Sequence, residues 1–421
     1  MILLLNCLKK SSPEDFFCDP YSIETLPHRS GYSKNIVVSC SYLSKKIMIR
    51  FFVCWTLVCG IFGITAVPAQ TNNDYYNSGI AKRKMGDFAG AILDYTKAIE
   101  LNPNDGQSYY NRGNAKTDLK DYKGAIEDFD QALRINPLDE QAYRNRANAK
   151  LIIKDNVGAI SDFSKTIELN PQDSVSFFYR ANAKLNMQDF NGAIEDYTKV
   201  IEFSPRFTRA YDFRGNARDA LKDYAGAILD YSKEIEIDPR DPAAYYNRGL
   251  TENKLEDYKT ALEDLNRSIE FGPRFKWAYQ VRATIKEKLE DNKGAIEDLD
   301  KAIELDPQFL KAYSFRGFMK GKTGNNNGAV SDYSRVIEID PGYFQAYLNR
   351  GVYKAQQNDY TGAIEDYNKV IELNPKSGPA YSNRGRAKIM LKDQQGACAD
   401  FNIAITLGFV SAVEQIAKYC Q

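Results

Sequence analysis

Apolar residues recur along the chain at the spacing of an amphipathic α-helix. Ala91, Tyr95, Ala98 and Ile99 show this spacing, which places all four side chains on one helical face. A proline then ends the apolar segment, because proline lacks the N–H group that a continuing helix needs. The pattern therefore predicts helices that end and restart at intervals of 34 residues, marked by Pro103, Pro137, Pro171, Pro205, Pro239, Pro273, Pro307, Pro341 and Pro375.

When the chain is aligned in 34-residue units, three further positions, here called columns, hold the same kind of residue in successive units. An aromatic residue recurs from Tyr75 to Tyr381, a glycine or alanine follows four residues later from Gly79, and an alanine recurs from Ala91 to Ala397. Each unit is predicted to be two short helices, and the small column lets them approach closely. An aspartate such as Asp87 lies at the intervening turn, where it can cap the second helix.

These columns resemble the tetratricopeptide repeat family, in its exported bacterial form, over residues 72–411. The chain departs from the family pattern in having tyrosine where the family has tryptophan, and Phe409 replaces the tenth proline. The resemblance implies an all-α, right-handed α-solenoid superhelix of ten units. It also implies that the first helices line a concave groove and that each unit is stabilised by its neighbours.

The C-terminal residues 410–421 are predicted to form a capping helix over the last unit, with Val410, Val413, Ile416 and Ala417 on the covering face. Two cysteines lie in this region. Cys398 and Cys420 could form a disulfide that holds the cap in an oxidising compartment. The alternative is two buried free thiols that act as small apolar fillers.

The N-terminal region carries an export signal. Residues 51–67 are uncharged and follow basic residues, and Ala69 stands where a signal peptidase would cleave. Residues 48–69 are therefore predicted to be a signal peptide or signal anchor, which inserts in or crosses a membrane. Residues 1–47 are an uncertain extension upstream of a possible true start at Met48. We expect the rest of the chain outside the cytoplasm, whether periplasmic, secreted or anchored by residues 51–67.

Two charged columns run through the units. Arginine recurs in nine units and aspartate in all ten. We interpret them as structural ion pairs between stacked helices, in which the second helix of one unit meets the first helix of the next. The alternative is a ladder of arginines that grips an acidic ligand. The pairs in the first half are drawn from Arg112, Arg146, Arg180, Arg214, Asp94, Asp128, Asp162 and Asp196.

Asparagine forms a third polar column, confined to four successive units. Asparagine is a mediocre helix former, and its carboxamide can bind the backbone of an extended peptide. The alternative is a solvated face that was copied when the units duplicated. A carboxylate clamp of the kind some family members have would be incomplete here, since Tyr179 and Phe213 occupy two of its places. The predicted peptide-binding groove comprises Asn114, Asn148, Asn182, Asn216, Tyr110, Arg144, Phe178, Arg209, Tyr246, Leu250, Trp277 and Phe318.

Composition weighs against several functions. His28 is the single histidine, no cysteine pair has metal-ligand spacing, and no catalytic motif occurs, so we expect no catalytic residue, metal or cofactor. The 56 basic and 56 acidic residues do not indicate a nucleic-acid partner. The sequence favours a scaffold that binds a protein or peptide in its groove, in envelope or membrane-complex assembly. Alternatives are a scaffold that uses its convex acidic surface, or a regulatory, co-chaperone-like adaptor.

Overall fold

The computed structural model describes residues 70–420. The predicted signal segment at 48–69 and the extension at 1–47 lie outside the described residues. Among the helices that are described, none combines the length and the apolar character needed to cross a membrane.

The described chain is a succession of α-helices joined by short connectors. Twenty of them form ten consecutive hairpins, here called units 1 to 10, and a final short helix follows. The first helices of the units are α1 (Asn72–Lys84), α3 (Gly106–Asp118), α5 (Glu140–Ile152), α7 (Ser174–Asn186), α9 (Thr208–Ala220), α11 (Pro242–Lys254), α13 (Lys276–Lys288), α15 (Leu310–Lys322), α17 (Phe344–Gln356) and α19 (Gly378–Met390). The second helices are α2 (Phe88–Leu101), α4 (Tyr122–Ile135), α6 (Asn156–Leu169), α8 (Phe190–Phe203), α10 (Tyr224–Ile237), α12 (Tyr258–Phe271), α14 (Asn292–Leu305), α16 (Asn326–Ile339), α18 (Tyr360–Leu373) and α20 (Gln394–Thr406), and α21 (Ala412–Tyr419) ends the array. The predicted all-α repeat architecture is confirmed.

The turn inside each unit follows from two residues. The carboxylate of Asp121 accepts a hydrogen bond from the Gly124 N–H group (3.0 Å), which caps the second helix as predicted. The residue before the cap has a left-handed backbone conformation, with φ of 65° at Lys120. Glycine adopts this conformation without steric cost, and Gly86 does so in unit 1.

Each unit is held by an aromatic or leucine side chain pressed against the small column. Tyr95 and Phe129 are fully buried. A Cβ added at Gly113 would lie 2.8 Å from the Phe129 ring, so the two helices touch at this point. The core therefore consists of small clusters repeated along the array, and stability comes from contacts between neighbours.

The array curves toward its first helices. Most neighbouring first helices contact each other, and second helices lie farther apart from one another. Each second helix also packs against the first helix of the next unit. The first-helix face is therefore the inner face, as the resemblance implied.

The cap uses only part of the predicted face. Helix α21 begins at Ala412, which is buried and packs with Ile416 and Tyr419 against unit 10. Val410 and Val413 are 75% and 49% exposed. The predicted face was right for Ile416 and wrong for Val410, which precedes the helix, and for Val413 and Ala417, because the buried face follows Ala412, Ile416 and Tyr419. A disulfide joins Cys398 of α20 to Cys420, just after α21.

Candidate peptide-binding face

The arginine column joins three helices at every junction. Arg112 donates to both oxygens of Asp128 in its own unit, at 2.9 and 2.6 Å. Its third nitrogen donates to Thr96 Oγ1 of the preceding unit, at 3.1 Å. The same arrangement recurs in units 3 to 10, where the acceptors in the preceding unit are Asp130, Ser164, Thr198, Ser232, Asn266, Asp300, Ser334 and Asn368.

This pairing differs from the predicted one in its partner. The aspartate belongs to the same unit as the arginine, because the hairpin brings residues 16 positions apart face to face. Arg146 and Arg180 pair in this way with Asp162 and Asp196. In unit 1, where Ser78 replaces the arginine, Asp94 accepts from the Ser78 hydroxyl. The connection between units is made by the arginine's third nitrogen instead.

A lysine column completes these junctions. Lys116 Nζ lies 2.8 Å from Asp128 Oδ2, and the Arg112 guanidinium lies over the Tyr109 ring, 5.4 Å from its centre. Burial alone would lower the pKa of Arg146, but hydrogen bonds to Asp162 and Asp130 raise it above its usual value. Sequence reasoning missed the lysines, although they recur at the same 34-residue period. The arginines are thus engaged inside the array, which argues against the alternative of an arginine ladder for an acidic ligand.

The asparagine ladder has several internal partners. Asn114 is 8% exposed and accepts from the Asn145 side chain of the next unit (2.8 Å). Asn182 and Asn216 accept hydrogen bonds from Tyr197 and Tyr231, the buried tyrosines of their own units.

Asn148 differs from the rest of the ladder. Its unit has Phe163 where units 4 and 5 have tyrosine, so no hydroxyl faces it. Asn148 is half-buried, and its carboxamide makes no hydrogen bond within residues 70–420. It is therefore the member of the ladder that has donors and an acceptor to offer a ligand.

The other predicted groove residues of the first half also divide into those that have partners inside the array and those that are accessible. Phe178 is 7% exposed and packs among other aromatic rings, with Phe207 at 5.2 Å. Tyr110 is half-buried beside Phe129, and Arg144 contacts Asp173 at 3.4 Å. Arg209 is exposed. The structure thus leaves Arg209 accessible on this part of the face and encloses Phe178.

In the later half, most of the predicted apolar residues are partly covered by neighbouring aromatic or core residues. Trp277 packs edge-on against Phe309 with ring centres 4.6 Å apart. Tyr246 packs in the same way on Phe275, and Leu250 lies in the core cluster of that unit. These side chains therefore form part of the packed surface of the inner face, and only part of each is exposed.

Phe318 is the exception, since it is 44% exposed and borders a hollow of about 330 Å³ between the first helices of units 7 to 9. Its ring stacks with Phe315, with centres 6.4 Å apart. Gln280, Ser314 and Asn349 supply neutral polar groups around the hollow, and Lys311 adds one cation. This arrangement offers an apolar surface with neutral donors and acceptors and a single positive charge beside it, which suits an extended peptide.

The tetratricopeptide repeat family matches the chain at residues 74–105, 106–138, 180–242, 209–274, 278–309 and 344–377, which together cover more than half of its length. The chain belongs to the tetratricopeptide repeat family. Proteins of this family present extended surfaces to protein or peptide partners, so this tetratricopeptide repeat protein has a role in protein interaction.

Several solved structures resemble this tetratricopeptide repeat protein. YrrB, described as "a TPR protein with an unusual peptide-binding site", is 28% identical, covers 44% of this chain and 95% of its own, and superposes with a TM-score of 0.39. MamA is 27% identical over 40% of this chain and 92% of its own, with a TM-score of 0.39. Yeast Tom70 is 17% identical over 89% of this chain and 94% of its own, with a TM-score of 0.41. No curated protein matches the chain.

Two carboxyl groups interrupt the columns of this tetratricopeptide repeat protein in units 5 and 6. Glu234 is 4% exposed at a position that is small or apolar in the other units, and burial and nearby carboxylates raise its pKa to about 8. Glu252 replaces the lysine of the junction, and burial and Asp264 raise its pKa to about 7. One oxygen of each carboxyl group is buried without a hydrogen-bond partner in the described structure. Sequence reasoning passed over both residues, although each breaks a visible column.

Proposed function

We propose that this tetratricopeptide repeat protein is a non-catalytic scaffold outside the cytoplasm that binds an extended segment of a partner protein on its inner face. The complexes it serves would be those of the cell envelope or membrane. The observation that carries the proposal is the hollow beside Phe318, where an exposed aromatic ring lies among neutral polar side chains and one lysine, Lys311.

The chemistry of the inner face favours a peptide over an ionic ligand. The arginines of the junctions are satisfied by aspartates of their own units, so they add little charge for a ligand to meet. Neutral groups such as Asn148, Gln280 and Ser314 can bind backbone amides without selecting a sequence. Affinity would then come from apolar contact at Phe318, the kind of anchor that dominates many interfaces.

The proposed location rests on two independent features. The uncharged segment 51–67 has the composition of an export signal. The disulfide between Cys398 and Cys420 is of a kind that persists in oxidising compartments and is rare in the cytosol.

Site-specific photocrosslinking tests the proposed face. A photoreactive phenylalanine analogue is placed at Phe318, and in a matched variant at Leu229, which is 70% exposed on second helix α10. We expect Phe318 to crosslink to one short segment of one partner, mapped by mass spectrometry. Leu229 should give no such product, and cell fractionation of the same samples tests the location.

The yield of the Phe318 crosslink is then measured in a variant with a second substitution on the same face. Ser314→Trp fills the hollow and should abolish the product, because the new ring takes the volume that the bound segment would occupy. Glu127→Gln on the outer face serves as its control and should leave the product unchanged. A partner that crosslinks at Leu229, and is lost on changing Glu127 but not Ser314, would show that the outer acidic surface binds instead.

A further inference from the structure

The cap encloses a second cavity, of about 450 Å³, against units 9 and 10. Val352 and Gln356 of α17 line one side, Arg386 and Met390 of α19 line another, and Lys418 of α21 closes it. Tyr367, the buried tyrosine of unit 9, lies among its walls. The volume is in the range of sites that take small ligands.

The charges of this cavity are of one sign. Arg386 and Lys418 contribute two cations, and the lining contains no aspartate or glutamate. Arg384 and Lys388, on the same helix as Arg386, bind Asp400 inside the array. Arg386 and Lys418 take part in no ion pair among residues 70–420; Lys418 instead lies over the ring of its neighbour Tyr419, 5.0 Å from the centre. Two such cations beside apolar walls favour a ligand with an anionic group and an apolar body.

Arg386 also breaks the column to which it belongs. The same position holds asparagine in units 2 to 5 and neutral residues in the units that follow, including Phe318 in unit 8 and Val352 in unit 9. The cation therefore appears on the inner face where the cap supplies a second one. This cavity differs from the carboxylate clamp of the family, two places of which are occupied here by Tyr179 and Phe213, because one of its cations comes from the capping helix.

We infer that this cap pocket binds the terminal carboxylate of a peptide whose last side chain is apolar. The inference rests on the proposed function, in which a partner segment lies along the first helices. Helix α19 is the last first helix of the described array, so a chain following the inner face meets the cap there. A C-terminus brings the negative charge that Arg386 and Lys418 attract, whereas an N-terminal ammonium group would be repelled.

The disulfide fixes the wall that carries one of these cations. Cys420 lies two residues after Lys418 and is joined to Cys398 of α20. The side chain of Gln394 adds a hydrogen bond to the Tyr419 carbonyl (2.5 Å). The position of Lys418 relative to Arg386 therefore depends on the bridge, and opening it should weaken carboxylate binding.

A probe too short to reach Phe318 tests this pocket separately from the rest of the face. Binding of N-acetyl-leucyl-phenylalanine to the full-length protein is measured by isothermal titration calorimetry at low ionic strength, beside the C-terminal amide of the same dipeptide. We expect the acid to bind about tenfold more tightly, as for a charge-assisted hydrogen bond. N-acetyl-glycyl-glycine, which has the carboxylate without apolar side chains, should bind more weakly than the leucyl-phenylalanine acid.

The variants localise the preference. The double change Arg386→Gln and Lys418→Gln should remove the preference for the acid, and Lys376→Gln, at an exposed lysine outside the pocket, should retain it. Both pocket residues are exposed, so circular dichroism should show an unchanged helical content. The inference is overturned if the acid does not bind, if acid and amide bind equally, or if the double variant keeps the preference. None of these outcomes affects the crosslink at Phe318, so failure here and failure of the proposed function can be told apart.

Discussion

The buried carboxyl group of Glu234 should make the array less stable as pH rises through neutrality. The raised pKa of about 8, against an ordinary value of 4.5, means that the folded chain keeps this proton over a range in which the unfolded chain has lost it. Burial is the main cause, and the carboxylates of Asp212, Asp241 and Asp238 add to it. Stability from this group is therefore fully present below about pH 4.5 and is lost progressively until about pH 8.

The magnitude follows from the linkage between protonation and folding. Each unit of pH inside this window removes at most about 1.4 kcal/mol from the free energy of unfolding. Glu234 lies in the last turn of α10 beside the exposed Asp238, so solvent screens part of the effect. We expect about half of the limit, or roughly 0.7 kcal/mol per pH unit and about 2.5 kcal/mol over the whole window.

Glu234→Gln isolates this effect, because it keeps the shape of the side chain and removes its titration. Urea denaturation followed by circular dichroism is compared for the two proteins from pH 5 to pH 8.5, with hydrogen exchange of α10 as a local measure, since long repeat arrays need not unfold in a single step. The midpoint of the parent should fall more steeply with pH than that of the variant. Equal pH dependence in the two proteins would refute the assignment of Glu234 as a protonated buried acid.

Three further predictions concern the junctions and the cap. Arg248→Met should lower the free energy of unfolding by about 3–5 kcal/mol in urea denaturation, and Arg180→Met by about 1–3 kcal/mol. In the second variant Lys184 remains to neutralise Asp196, whereas in the first Glu252 occupies the place of the lysine that would neutralise Asp264. Equal losses in the two variants would contradict the role given to the lysines. Glu252→Lys should raise the melting temperature at pH 8 by restoring that lysine, with a gain of about 1–2 kcal/mol, and an unchanged or lower melting temperature would count against it. Cys398→Ser should remove about 3 kcal/mol of cap stability, as expected for a bridge spanning 22 residues, and hydrogen exchange should rise in α21 but not in α3; uniform exchange across the array would show that the bridge is not local.

The repeat architecture could be predicted from the sequence because each column has one dominant physical role. A proline such as Pro137 follows the end of a helix in each unit that has one. Gly113 leaves room for the Phe129 ring, and Asp121 caps the second helix of its unit. These roles depend on neighbours a few positions away, so a one-dimensional pattern records them well. The buried face of α21 was harder to predict, because the cap occurs once and no 34-residue repetition marks its contacts.

The candidate site was less predictable because it depends on contacts between columns. Whether an asparagine is free is decided by its neighbours in space: Tyr197 donates to Asn182 and Asn145 donates to Asn114, whereas Phe163 has no hydroxyl to offer Asn148. Arg112 pairs with Asp128 because the two helices of the hairpin pack with these residues opposite each other. The charge pattern alone did not show which aspartate would face the arginine. Phe178 and Phe318 look alike in sequence, yet packing encloses the first and exposes the second.

The bridging arginines give the joints between units a direction. Units 2 to 10 each supply a donor toward the unit before, and units 1 to 9 each supply an acceptor, such as Thr96 or Ser164, toward the unit after. Any of units 2 to 10 placed after any of units 1 to 9 therefore finds an acceptor for its arginine. Loss or gain of a whole 34-residue unit by recombination would leave every joint complete, while a break at any other length would strand a guanidinium. The chain can thus change its length in evolution by whole units without redesigning a single interface.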